Sequence, residues 1–234
     1  MSNYAAQVLN RSARALQRCI PAHCVLCGAA TQAQRLCEPC TRALPRVSRT
    51  RCAVCALPLP SGSLCGDCLE RPPAYDSIAA VYCYAFPVDA LVRALKYNGD
   101  LTLAPLLGHH LACEAKAHVD AIVPMPLAAA RLRERGFNQA YELARHIGRT
   151  LGLPVLGSAC RKVADTAPQA ALPWAARARN VRAAFVCDID LSGKRIAVVD
   201  DVMTTGATLN EVARNLKRAG AAYVSGWVIA RTPR

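Results

Sequence analysis

The chain is 234 residues long, 53% hydrophobic and 5% aromatic, with a formal net charge of +13. That length holds one full α/β domain plus a small module, and the charge attracts polyanions at low salt, but so few aromatics leave no visible base-stacking platform of the single-strand-binding kind. No apolar run reaches the length of a membrane span, and Arg11, Arg14 and Arg18 interrupt the N-terminal segment, so neither a secretory signal nor a transmembrane helix is expected and the chain reads as cytoplasmic.

Within residues 1–20, positions 5 to 20 read as a short basic amphipathic helix with Val8, Leu9, Ala13, Leu16 and Ile20 on one side. Such a helix suits packing on the following module, or binding to a surface. Eight of the thirteen cysteines then fall in four Cys-x-x-Cys pairs, Cys24/Cys27, Cys37/Cys40, Cys52/Cys55 and Cys65/Cys68. Both groups of four follow C-x2-C-x9-C-x2-C, an internal repeat offset by 28 residues. Each pair can present two thiolates from a tight turn, and two pairs complete a tetrahedral Zn²⁺ site, so residues 21–71 read as a double zinc ribbon with about two structural Zn²⁺. Sequential pairing is simplest; Cys24/Cys27 with Cys65/Cys68 is the open alternative. A disulfide framework would need an oxidising compartment that nothing else supports, and four tandem pairs exceed what thiol redox chemistry requires. Cys19, Cys83, Cys113, Cys160 and Cys187 lack ligand spacing and read as small buried hydrophobes, with His23 outside the ligand set. Up to residue 71, nine Arg, no Lys and three acidic residues give a formal +6. Two Zn(Cys)₄ centres lower this to about +2, and the whole chain to about +9.

Arg71-Pro72-Pro73 reads as a hinge, after which the apolar pattern changes. A strand is expected over Ser77 to Ala85, a helix over Val88 to Tyr97 ending at Asn98-Gly99-Asp100, and a second helix from Leu103 to about Ala117. Ala121 to Val123 is a buried strand running into Pro124-Met125-Pro126, and a helix follows from Gln139 to Leu151. Between them, Arg131, Arg133 and Arg135 lie just past a strand end, where three guanidinium forks could grip a diphosphate; the alternative is a solvated helix face. In an open α/β sheet ligands sit beyond the carboxyl ends of strands, so this strand end is expected to share a crevice with a later one.

Arg161 to Asn180 reads either as a mobile lid or as an exposed connection. Ala184 to Cys187 and Tyr223 to Ala230 are expected strands. The densest signal is Ile196-Ala-Val-Val-Asp-Asp-Val-Met-Thr-Thr-Gly-Ala-Thr208. Ile196 to Val199 forms a buried parallel strand that ends at Asp200-Asp201, and Leu209, Val212, Ala213 and Leu216 mark the amphipathic helix that follows and stops at Gly220. Strand, loop and helix in that order aim the free N–H groups of the helix start into the Thr204 to Thr208 loop, an anion site. Thr204, Thr205 and Thr208 supply hydroxyls, and Gly206, with no Cβ and free to adopt positive φ, lets backbone approach a phosphate. Asp200 and Asp201 fit as acceptors for two vicinal hydroxyls, or as partners of a Mg²⁺ carried in by the substrate; a sugar 5-phosphate satisfies both halves. The blander reading makes them turn formers and caps.

This stretch closely resembles the phosphoribosyl pyrophosphate (PRPP) signature of type I phosphoribosyltransferases: four apolar residues, two acidic, two variable, then Thr-Thr-Gly-x-Thr. The resemblance implies a Rossmann-like parallel sheet flanked by helices over residues 75–234. It further implies that Asp200 and Asp201 hold the ribose hydroxyls, that Thr204, Thr205, Gly206, Ala207 and Thr208 hold the 5′-phosphate, and that Arg131, Arg133 and Arg135 help bind diphosphate with Mg²⁺. Lys96-Tyr97-x-Gly99-Asp100, Pro124-x-Pro126, Arg133-x-Arg-Gly-Phe-Asn-Gln139, Thr166-x-x-Gln169 and Arg179-Asn180 stand in an order similar to the ComF family. Members of that family join a zinc-finger module to such a domain and are associated with DNA uptake in natural competence. The implied function is a PRPP-binding, phosphoribosyltransferase-like protein acting on incoming single-stranded DNA, with a competence helicase as a candidate partner. Its alternatives are a PRPP-sensing scaffold without turnover that binds DNA or the helicase, and a nucleobase-salvage enzyme unrelated to DNA. No residue is identified as a general base.

Overall fold

The computed structural model describes residues 22–31, 35–163 and 184–233. The expected N-terminal helix, Cys19, and the Thr166, Gln169, Arg179 and Asn180 motifs lie outside the described residues, as does most of the Arg161 to Asn180 segment. Two compact units divide at Leu44 and Pro45.

In the smaller unit β1 (Ala22–His23) pairs antiparallel with β2 (Ala30–Thr31), and a short helix α1 (Glu38–Arg42) follows. The larger unit begins with an extended run along the sheet edge, then a second ribbon carrying α2 (Gly66–Glu70). It continues through β3 (Ser77–Cys83), α3 (Val88–Tyr97), α4 (Leu103–Glu114), β4 (Ala121–Pro124), α5 (Ala129–Arg135) and α6 (Gln139–Leu151). A small antiparallel pair, β5 (Arg161–Lys162) and β6 (Phe185–Val186), precedes β7 (Arg195–Met203), α7 (Ala207–Arg218) and β8 (Tyr223–Arg231). Among the described residues no helix is long and apolar enough to cross a membrane.

The main sheet has the order β3-β8-β7-β4 and all its strands are parallel. Side chains alternate across it, as the two-residue period of a strand requires. Ile78, Ile196, Val198, Val224 and Val228 share one core with Leu209, Val212, Ala213 and Leu216 of α7. On the other face α4 packs against β3 and β8, while α6 packs against β4 and β7 and against α4. The chain is therefore a parallel sheet flanked by helices, as expected, and the central strands β7 and β8 are apolar because both of their faces are covered.

The division between units differs from the hinge expected at Arg71-Pro72-Pro73. From Pro45 onward the chain is pinned to the free edge of β3: Val47 N–H donates to Val81 O at 3.1 Å and Cys83 N–H to Pro45 O at 2.7 Å. Arg51 adds an ion pair to Glu114 at 2.6 Å. The Pro-rich segment is anchored as well, since Ala74 N–H donates to Asn210 Oδ1 at 2.6 Å and Asp76 N–H to Val224 O at 2.8 Å. The second ribbon is thus part of the larger unit, with Cys52, Cys55 and Cys65 buried in its core.

Register has one consequence for the site. β4 pairs with β7 only from Ala121↔Ile196 to Pro124↔Val199, whereas β7 continues to Met203 against β8 alone. The strand was expected to end at the acidic pair; it runs through it. Asp200 and Asp201 therefore lie where β4 has already stopped, at the mouth of a crevice.

The close fit of α6 to the sheet is testable at Gly148. An exposed helix position would gain about 1 kcal/mol from Gly→Ala, but here a Cβ would sit 2.7 Å from Val155 Cγ2 and 2.8 Å from the Leu153 carbonyl oxygen. Backbone cannot rotate away, so Gly148→Ala is expected to destabilise by about 1–3 kcal/mol in urea unfolding; an unchanged or raised midpoint would contradict this packing.

Candidate functional site

The eight paired cysteines form two clusters, Cys24/Cys27/Cys37/Cys40 and Cys52/Cys55/Cys65/Cys68, with the four sulfurs of each within 4.8 Å of one another. Pairing is sequential, which resolves the alternative left by spacing. Cys27 Sγ lies 3.6 Å from Cys37 Sγ, and Cys55 Sγ 3.6 Å from Cys65 Sγ. A tetrahedral ion with Zn–S bonds of about 2.3 Å needs sulfurs about 3.8 Å apart, so both clusters fit Zn²⁺. Burial opposes ionisation of Cys24 and Cys52, yet each is drawn down to about 6 by N–H groups of its own turn and of the facing pair, from Cys37, Cys27 and Leu26 in the first and Cys55, Cys65 and Val54 in the second.

The repeat extends to the backbone. Cys24 N–H donates to Ala29 O, Gly28 N–H to Cys24 O and Val25 N–H to Arg35 O; Cys52 to Leu57, Ala56 to Cys52 and Ala53 to Ser63 reproduce these bonds 28 positions later. The turn residue is left-handed in both copies, Gly28 at φ +74° and Ala56 at φ +54°. Ala56 is fully buried in the larger core, and its methyl packs there while Gly28 remains exposed.

At the other end of β7, Asp201 is 3% exposed and pairs with Lys96 Nζ at 2.8 Å. Asp200 Oδ1 accepts from Asp201 N–H at 2.8 Å. Beyond Met203 the Thr204 to Thr208 loop leads to α7, with Gly206 as its N-cap residue at φ +80°. A Cβ at Gly206 would fall 2.4 Å from Met203 Cε and 3.2 Å from Tyr75 Oη, so both conformation and space call for glycine. Asp200, Thr204, Thr205, Gly206 and Thr208 line a hollow of about 50 Å³ at the start of this helix, where first-turn N–H groups lack intrahelical partners.

That loop is held from behind by Arg231, which is 1% exposed. Its Nε donates to Cys55 O at 3.1 Å, and its Nη1 donates to Met203 O at 3.2 Å, to Thr232 O at 2.8 Å and to Thr204 O. A single guanidinium thus joins the second cysteine turn to the phosphate-type loop. Cys55, Cys65, Cys68, Tyr75, Thr205 and Gly206 line one hollow of about 230 Å³. Sequence reasoning assigned nothing to Arg231, although a charge closing the apolar run Val228-Ile-Ala-Arg231 was its signal.

The arginine segment forms α5, capped by Gly136 in the left-handed region. Asn138 then starts α6: its Oδ1 accepts from Ala140 N–H at 3.0 Å and its Nδ2 donates to Met125 O at 3.1 Å, tying the helix to the end of β4. Arg131 and Arg135, four residues apart on one helix face, line a cleft of about 300 Å³ together with Lys96, Met125, Gln139, Lys162, Phe185, Asp200, Asp201 and Thr208. Arg133 is not among the lining residues of this cleft. Arg135 is oriented by a hydrogen bond to Gln139 Oε1 and by the Tyr97 ring, 5.6 Å from its Cζ. The ends of β4 and β7 share one crevice, as the topology implied, and Asp200 and Thr208 belong both to it and to the loop hollow. Lys96, Lys162 and Phe185 were not anticipated as lining residues. Lys96 stood in a quoted motif, but only the packing of α3 shows that it meets Asp201.

Burial and the adjoining Asp201 carboxylate push Asp200 up to about 8, against the pull of Lys96. For Lys96 burial acts downward, but Asp201 and its hydrogen bond raise the ammonium overall. An unfolded aspartate titrates near about 3.9, so between about pH 4 and 8 the folded protein holds a proton that the unfolded chain has lost. Stability from this group therefore falls as pH rises through that window. Asp200→Asn is expected to flatten the decline measured by urea unfolding from acid to mildly alkaline pH; identical slopes in both proteins would refute the assignment. The clusters are tested separately. Cys24→Ser/Cys27→Ser should lose about one Zn²⁺ and leave unfolding of the larger unit unchanged, whereas Cys52→Ser/Cys55→Ser should lose the other and lower its melting temperature, read by metal analysis and calorimetry.

Residues 15–69 match the family described as Double zinc ribbon domain, and residues 133–233 the Phosphoribosyl transferase domain. Competence protein F of Haemophilus influenzae is 33% identical over 174 residues, covering 70% of this chain and 76% of that protein. DNA utilization protein YhgH of Escherichia coli is 35% identical over 173 residues with the same two coverages. Among solved structures, a glutamine PRPP amidotransferase from B. subtilis aligns at 21% identity and a TM-score of 0.40, over 55% of this chain and 26% of that one. Identity and coverage of that extent with the competence and DNA utilization proteins mean that this chain, a double zinc ribbon joined to a phosphoribosyltransferase-type domain, belongs to the ComF family.

Proposed function

We propose that the domain binds PRPP with Mg²⁺ at the end of β7 and acts as a phosphoribosyltransferase-type protein in the handling of incoming single-stranded DNA. The observation that carries this reading is the junction of the loop hollow with the cleft at Asp200 and Thr208. A 5′-phosphate in the hollow meets hydroxyl and backbone donors, the ribose that follows meets two carboxylates, and a diphosphate extending into the cleft meets Arg131 and Arg135. Each part of one ligand is offered the complementary chemistry in the order in which its groups are connected.

The reaction asked of such a site is cleavage between ribose C1 and diphosphate, with positive charge growing on the sugar and negative charge on the leaving group. Bound Mg²⁺ would neutralise charge at the diphosphate, and Asp200 and Asp201 are the carboxylates that would hold it directly or through the ribose hydroxyls. Lys96 fixes Asp201, while Arg131 and Arg135 orient the diphosphate. The role in DNA handling is supported by the names of the competence and DNA utilization relatives and by the basic chain.

Titration calorimetry with PRPP and Mg²⁺ tests the site. Two charge-assisted hydrogen bonds at about 1.5–3 kcal/mol each predict that Asp200→Asn/Asp201→Asn weakens binding by about 10²- to 10⁴-fold. Equal affinity in wild type and variant, or no binding by the folded wild type, would overturn the assignment. Sustained pyrophosphate release with a nucleobase panel would establish turnover, and stoichiometric binding without release would make the domain a sensor. Binding to single-stranded oligonucleotides that weakens steeply with salt is the expected signature of the DNA role.

A further inference from the structure

Two cysteines outside the metal clusters face each other across the small β5/β6 sheet. Its register pairs Arg161 with Val186 and Lys162 with Phe185, so one position further out Cys160 stands opposite Cys187. Val163 N–H donates to Ala184 O at 2.8 Å, which makes that pair, and by alternation Arg161/Val186, the hydrogen-bonded positions. Cys160/Cys187 is then a non-hydrogen-bonded pair, with Cα atoms expected about 4.5 Å apart. That spacing lies within the range of about 4.4–6.8 Å that a disulfide spans. Both cysteines are free thiols.

The two thiols are not equivalent. Cys160 is 4% exposed, whereas Cys187 is only half-buried and is the more accessible of the two. The hydrogen bond from Cys160 lowers the Cys187 thiol below its ordinary range, against burial, and the same bond together with burial raises Cys160. A stabilised, accessible thiolate beside a protonated, shielded partner is the arrangement of an attacking and a resolving cysteine.

We propose that Cys160 and Cys187 form a redox-active dithiol that small disulfides such as glutathione disulfide convert to a cross-strand bond. The Cys187 thiolate attacks one sulfur of the oxidant, forming a mixed disulfide and releasing one glutathione thiolate. Cys160 then attacks Cys187 Sγ; its proton passes to the second glutathione as that thiolate leaves. Two protein thiols are oxidised and one glutathione disulfide is reduced to two glutathione thiols, so electrons and atoms balance. The bond would lie immediately beside Lys162 and Phe185, both of which line the cleft, so the redox state sets how tightly that lip is held. The consequence for ligand binding rests on the PRPP reading; the dithiol chemistry does not.

Zinc-loaded full-length protein incubated with glutathione disulfide, alkylated, digested and analysed by mass spectrometry provides the test. Wild type is expected to lose both thiols to a Cys160–Cys187 linked peptide. Cys160→Ser should instead retain a glutathione adduct on Cys187, and Cys187→Ser should leave Cys160 free. Wild type with stable glutathione adducts and no linked peptide, or with both thiols still alkylatable while the exposed Cys113 has reacted, would overturn the proposal. Ligand titration plays no part in this readout, so its failure and that of the PRPP site are distinguishable.

Discussion

The unequal lengths of β4 and β7 are the constraint on which the site depends. β4 gives its last ladder position to Val199, and from there β7 runs on with β8 as its neighbour on one side and open space on the other. A continuous neighbour strand would have filled that space with backbone. Because it is missing, two consecutive acidic residues can sit on a strand inside a core domain and still line an open cleft. Brief α5 and the Asn138-capped start of α6 border the space with arginines, and α3 delivers Lys96 from the opposite side.

The electrostatics of this crevice follow from its depth. Adjacent carboxylates in a partly dehydrated place repel each other, and both cannot be fully charged at little cost. The protein answers with one ion pair, Lys96 to Asp201, and leaves Asp200 to take up a proton. The acidic pair together with Lys96 is therefore held near neutrality at ordinary pH, and the arginines of the cleft are left with their charge.

Much of this was legible in the residues. The strand and helix containing Asp200 to Thr208, the strand boundaries around Ala121 and Tyr223, and both cysteine clusters follow from period, spacing and turn chemistry that act over a few positions. What local pattern could not reveal came from contacts distant in sequence. Arg71-Pro72-Pro73 has the composition of a linker, yet Asn210 and Val224 hold the residues that follow it. Arg133 shares the composition of its neighbours, but the helical rotation of two residues turns it off the cleft. Cys160 and Cys187 read as isolated hydrophobes because they stand 27 positions apart, and only strand register makes them a pair. The Rossmann-like pattern thus located the loop between β7 and α7, whereas the elements around it required the fold.

The two cysteine turns began alike, bond for bond, but the second has been taken into the core of the larger unit, where Arg231 ties the Cys55 carbonyl to the loop at Thr204. A metal that binds the native chain and not the unfolded one contributes stability that grows with the logarithm of its free concentration. The stability of the larger unit consequently contains a term in zinc activity, even though its Thr204 to Thr208 loop has no cysteine of its own. Scarcity of zinc would act on that unit as a mild denaturant, and Arg231 is the side chain that links the metal turn to the loop.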